Sequence, residues 1–133
     1  MPPKTTNRLI FVDFDETLAE YDHWRGPDVT GEPIPEMVEK VKQAMANGDK
    51  IVIFSARVNP GDGNYEDSLS ATRSLLAIAQ WCQQIFGMLL PITHEKSRHV
   101  DEIWDDRARQ VLPNAGVFAN DLLGQLNGDE NTR

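Results

Sequence analysis

The chain has a single cysteine, Cys82, so no disulfide can form within it and its stability must come from packing. Cys82 sits in an apolar helical stretch, which suits a buried thiol better than a nucleophile. Long hydrophobic runs are missing too. No segment approaches the roughly 20 apolar residues that a membrane-spanning helix needs. The opening Met1-Pro2-Pro3-Lys4-Thr5-Thr6 lacks the apolar stretch of a secretory leader. The expectation is a soluble, cytoplasmic protein with no membrane contact. Positive charge is scarce, with 13 Lys and Arg against 21 Asp and Glu and a net charge of −8. This balance argues against an extended nucleic-acid track, though a small basic pocket remains compatible with it. No internal repeat is visible. At 133 residues and 40% hydrophobic content, one domain with a modest core is expected. It should cover residues 1–126, with a polar tail over 127–133 that frays.

Apolar patterning gives a coarse map. A strand is expected over residues 8–14, followed by a polar loop over 15–33. A helix over 36–47 places Met37, Val38, Val41, Ala44 and Met45 on one face, with prolines before it and Gly48 after it. A second strand spans 50–55. A loop rich in Gly, Pro and Asn leads to a long helix over 67–86, stopped by Gly87. Short strands follow over 88–93 and 100–104. A short helix over 107–112 and a last strand over 117–119 complete the order. Alternating strands and helices imply an α/β fold with a doubly wound, mostly parallel sheet.

The informative segment is Leu9-Ile10-Phe11-Val12-Asp13-Phe14-Asp15-Glu16-Thr17. An apolar strand that ends in two carboxylates has a problem. Desolvated carboxylates repel one another and need a proton or a cation between them. A divalent ion with oxygen ligands solves it, and such sites serve phosphate chemistry. Three later segments fit the same place. The second strand ends at Ser55, with Arg57 two residues on. Lys96 precedes the strand Val100-Asp101-Glu102-Ile103-Trp104, which runs into Asp105-Asp106-Arg107. In open α/β sheets, ligands bind beyond the carboxyl ends of the strands. Two adjacent acids there again call for a cation.

The order Asp-x-Asp-x-Thr, Ser, Lys, Asp-Asp resembles the haloacid dehalogenase-like (HAD) phosphatase superfamily over residues 8–120. The ending from Asp105 to Ala108 resembles small members with little or no cap. Ser55-x-Arg57 with Asp105-Asp106-Arg107 is also similar to polynucleotide 3′-phosphatase domains. The resemblance implies a Rossmann-like core and a Mg²⁺-dependent phosphomonoester hydrolase. In it Asp13 is the nucleophile and Asp15 the general acid/base. Ser55 bonds a phosphoryl oxygen, and Lys96 neutralises charge, a role for which Arg98 and His99 are the alternatives. The metal shell implied is Asp13, the Asp15 backbone carbonyl, Asp105 and Asp106. Arg57 and Arg107 become substrate-phosphate ligands or anchors for the acids. Thr17 is read as a turn residue, with substrate contact as its lesser role. Glu16 stands where relatives commonly carry glycine.

Residues 16–32 leave room only for a loop or small hairpin where relatives insert a cap. The site should therefore be open to a phosphorylated small molecule or nucleotide. Capless relatives often oligomerise, so a homo-oligomer is compatible with the resemblance. Tyr21, His23, Trp24 and Arg25 in this loop offer either a stacking platform or, as the preferred reading, a Trp24 that pins the loop to the body. Two alternatives stand beside the hydrolase: a nucleotide or polynucleotide 3′-phosphatase, and a non-catalytic Mg²⁺- or phospholigand-binding module.

Overall fold

A computed structural model describes residues 5–120. The expected tail over 127–133 lies outside them. The first strand, β1 (Leu9–Asp13), buries Ile10, Phe11 and Val12 in succession, because it lies inside the sheet with a neighbour on each side. It pairs in parallel with β2 (Lys50–Phe54), from Leu9 opposite Lys50 to Asp13 opposite Phe54. On its other side it pairs in parallel with β4 (Glu102–Trp104). The short β3 (Ile92–Thr93) joins the outer edge of β2, giving the order β3-β2-β1-β4. The parallel α/β architecture is the one that the alternation of strands and helices implied.

The chain steps from β1 to β2 to β3 in one direction, then crosses to β4 beyond β1. Strand order thus reverses at β1. The crevice between the carboxyl ends of β1 and β4 is the switch point where such sheets bind ligands. Both acidic motifs end there.

Register sends Ile10 and Val12 to the same face as Ile51 and Ile53. The helix α1 (Pro35–Ala46) adds Val38, Val41 and Ala44 to this cluster, and α2 (Tyr65–Phe86) adds Ile78, Trp81 and Cys82. Both helices feed one core. Truncating a fully buried member such as Ile53 or Ile78 to alanine should cost about 2–5 kcal/mol. On the other face Phe11 and Phe54 stack with centroids 5.7 Å apart.

Helix ends follow local chemistry. Pro35 opens α1, with Glu36 in its first turn. The second helix starts two residues earlier than expected, because the Asn64 side chain accepts the Asp67 N–H and caps it. It stops at Gly87, whose φ of 75° is left-handed. The expected helix over 107–112 does not form. Pro113 biases the preceding residue toward extended backbone, and Asn114 (φ 58°) and Gly116 (φ 69°) then turn the chain back. Val111 pairs with Phe118 in one antiparallel bridge, which is also all that exists of the expected last strand.

The amino ends of the strands are tied by carboxylates. Asp49 accepts from the Thr6 hydroxyl, from the Arg8 N–H at 2.7 Å and from the Arg8 guanidinium at 3.1 Å. Asp101 accepts the Leu9 N–H at 2.8 Å. Structural anchoring thus sits at one end of the sheet and the acidic cleft at the other. No helix among the described residues is long and apolar enough to cross a membrane.

Candidate active site

The loop that follows β1 shapes one side of the cleft. Its two ends meet: the Glu20 N–H donates to the Glu32 carbonyl at 2.8 Å, and the Ile34 N–H to Leu18 at 2.9 Å. Gly31 lies so close to this neck that a Cβ there would stand 1.8 Å from the Glu20 carbonyl oxygen, so no other residue fits. The Trp81 indole donates to the Gly31 carbonyl at 2.9 Å and fastens the neck to α2. Arg73 pairs with Asp28 farther out.

A cleft of about 550 Å³ opens at the carboxyl end of the sheet. Asp13, Asp15, Ser55, Arg57, Asp105 and Asp106 all line it, with Arg107 at its edge. Carboxylate oxygens of Asp13, Asp105 and Asp106 lie within 4.8 Å of one another. Three hard oxygen donors converging at a strand switch point fit a Mg²⁺-sized divalent cation, with water completing its shell. The Asp15 carboxylate is not part of this group.

Electrostatics agree with the geometry. The Asp13 carboxyl is pushed up to about 7, first by burial, then by a hydrogen bond to Asp106 and by the negative charges of Asp105 and Asp106. Glu16 is also raised, chiefly by its hydrogen bond to Asp106. Burial works against ionisation of Asp106, but hydrogen bonds from Glu16 and Asp13, from its backbone and from Thr17 outweigh it and hold Asp106 below the usual range. Without a cation, protons must bridge these carboxyl groups.

Thr17 does more than shape the turn. Its buried hydroxyl lies 3.2 Å from Asp13 Oδ2 and 3.1 Å from Asp106 Oδ1, so its one proton can serve either acid. This ties the acid at the end of β1 to the one after β4. Glu16 adopts a φ of 71°, the left-handed conformation in which glycine is unstrained. Its carboxylate lies 3.9 Å from Arg107, whose side chain is otherwise exposed.

Ser55 is buried at the end of β2 and accepts the Arg57 N–H at 3.2 Å, capping a short 3₁₀ turn, Ala56–Val58. It also lines the cleft. Arg57, expected to meet phosphate or to hold an acid, holds an acid: it grips Asp15 with Nε at 2.7 Å and Nη2 at 3.0 Å. Lys96 is not brought to the site. It is exposed and does not line the cleft, nor do Arg98 and His99, which lie together with Nε and Nε2 3.4 Å apart.

The cleft has a wall that sequence reading missed. Asp67, Ser70 and Ala71, from the first turns of α2, face the acids. The signal available was the Asn64 cap, which starts the helix early enough to bring its first turns to the cleft. Tyr21 and Trp24 of the loop also line it.

No family model matches the sequence, and no curated protein matches it either. Among solved structures, the chain is similar to a conserved protein from Bacteroides thetaiotaomicron. The likeness covers 96% of this chain and 94% of that one, at 23% identity and a TM-score of 0.48.

Proposed function

We propose that this protein is a HAD-type phosphomonoester hydrolase that depends on Mg²⁺ and works through an aspartyl-phosphate on Asp13. One observation carries the reading. Asp13, Asp105 and Asp106 converge within 4.8 Å at the strand switch point, while Asp15 faces the same cleft from outside that group. A metal site alone has no use for the fourth carboxylate. A two-step displacement does.

In the first step an Asp13 carboxylate oxygen attacks phosphorus and the bond to the leaving oxygen breaks. Asp15 gives its proton to that oxygen, and the alcohol departs. In the second step Asp15 takes a proton from water as the water attacks phosphorus. The bond to Asp13 breaks and inorganic phosphate leaves. The Ser55 hydroxyl donates to a phosphoryl oxygen, and Thr17 keeps Asp13 and Asp106 in register. Bound Mg²⁺ would neutralise the acids and the incoming phosphate, held by Asp13, Asp105 and Asp106. In this reading Arg107, exposed at the rim, contributes positive charge toward a phosphorylated small molecule or nucleotide.

The test is hydrolysis of a generic aryl phosphate with and without Mg²⁺, by wild type and by Asp13→Asn. Turnover should require both the ion and Asp13. Activity retained by Asp13→Asn in the presence of Mg²⁺ would remove the nucleophile assignment. A second reading, the non-catalytic phospholigand module, is favoured by the position of Lys96 outside the cleft. It predicts Mg²⁺ binding with no turnover of any phosphoester. Release of phosphate from a 3′-phosphorylated oligonucleotide, set against release from sugar phosphates, separates the polynucleotide reading from the general one.

A further inference from the structure

All three nitrogens of the Arg57 guanidinium are engaged. Its side chain is only 6% exposed. Nε and Nη2 fork onto the two oxygens of Asp15, Nη1 donates to the Val29 carbonyl at 2.8 Å, and Cζ lies 4.9 Å from the centre of the Trp24 ring. A cation this buried is costly unless paired, and here the pairing is bidentate. Little of it is left to present to a substrate. We propose that Arg57 is a positioning residue that aims the general acid/base, and that the loop after β1 acts on catalysis by holding Arg57. This inference rests on the phosphatase reading above.

The chemistry follows from donor and acceptor counts. Each oxygen of Asp15 accepts one N–H from Arg57 and keeps a second lone-pair site. The fork fixes the plane of the carboxyl group without using the positions that exchange a proton with leaving group or water. A lysine would supply charge but no plane. Val29 and Trp24 fix the fork in turn, and the neck at Gly31, pinned by Trp81, fixes the loop that bears them. Trp24 would thus influence proton transfer without touching the reacting atoms.

Leaving-group dependence tests this. A nitrophenolate departs readily without a proton, whereas an alkoxide needs one in the first step. The measurement is kcat/KM for p-nitrophenyl phosphate and for an alkyl phosphate, with Mg²⁺ present. Arg57→Gln should lose at least tenfold more on the alkyl ester than on the aryl ester. Arg57→Lys should not restore the balance. Trp24→Leu, at a half-exposed position outside the core, should shift the ratio the same way by several-fold, and it carries the test if Arg57→Gln does not fold. Asp15→Asn combined with Arg57→Gln should discriminate between the esters no more than Asp15→Asn alone. Equal losses on both esters, or a rise in KM alone, would make Arg57 a phosphate ligand or a plain structural pair and overturn the proposal. A wild type that turns over neither ester removes the phosphatase reading and this inference with it. An active wild type with an unchanged ratio in the variants removes this inference only.

Discussion

Binding of Mg²⁺ to the Asp13, Asp105 and Asp106 group should release a proton, and the size of the effect follows from the site. In the metal-free protein, burial and the neighbouring acids raise the Asp13 carboxyl to about 7. A cation requires the carboxylate, so below that value each binding event must expel the proton first. For a group titrating near 7, apparent affinity should fall about tenfold between pH 8 and pH 6, or about 1.4 kcal/mol, and about a hundredfold by pH 5. Calorimetric titration with MgCl₂ in two buffers of different ionisation enthalpy reads the proton directly. About 0.9 proton per ion should appear at pH 6 and about 0.1 at pH 8. Asp13→Asn should weaken binding and flatten the slope. The sign for folding is opposite to that of an ordinary carboxylate. This group is protonated more readily in the folded than in the unfolded chain, so its contribution to metal-free stability falls as pH rises from about 4 to about 7. Excess Mg²⁺ should reverse that trend. An affinity that stays level from pH 6 to pH 8, with no proton released, would refute the reasoning.

Glu16→Gly should relieve the left-handed backbone at this position and raise stability by about 1 kcal/mol, read as a higher urea midpoint at unchanged slope; a lower midpoint would mean that the Glu16 contacts to Asp106 and Arg107 outweigh the strain. Asp49, held down to about 2 by Thr6 and Arg8, contributes stability that is present above about pH 4 and lost as pH falls through 2. Asp49→Asn should therefore melt lower at pH 7 and lose less than wild type on acidification, as followed by circular dichroism. The Cys82 thiol, buried and pushed up to about 12, should resist a thiol-specific reagent at pH 8 until denaturant is added; rapid labelling of the folded protein would show that α2 opens readily.

Some of this architecture was legible because it is written in local contrasts. Apolar runs that stop at an acid mark Asp13 and Asp105, and a parallel sheet leaves such ends few places to go but together. The stop at Gly87 and the face of α1 were equally readable. What failed depended on where loops swing. Lys96 lies in a segment between β3 and β4 whose direction no periodicity records, and it is exposed and does not line the cleft. Arg57 and Asp15 were each named, yet their pairing needs the register of β1 on β2, which places Asp13 opposite Phe54 and so brings the next residues of both strands together. The segment after Arg107 has helical composition, but Pro113 and the two left-handed residues after it decide for a turn.

The pinned neck between Glu20 and Glu32 has a consequence for redesign. Because its ends are joined by backbone bonds and locked by Gly31, the length of the intervening segment is uncoupled from the sheet. Doubling such a segment adds only about 0.6 kcal/mol of closure entropy. Trp24 lies before Gly26-Pro27 and Val29 after it, so residues grafted between Gly26 and Pro27 would leave both grips on Arg57 in place. The mouth of the cleft could then be reshaped as a detachable module, while the side chains beneath it keep their present geometry.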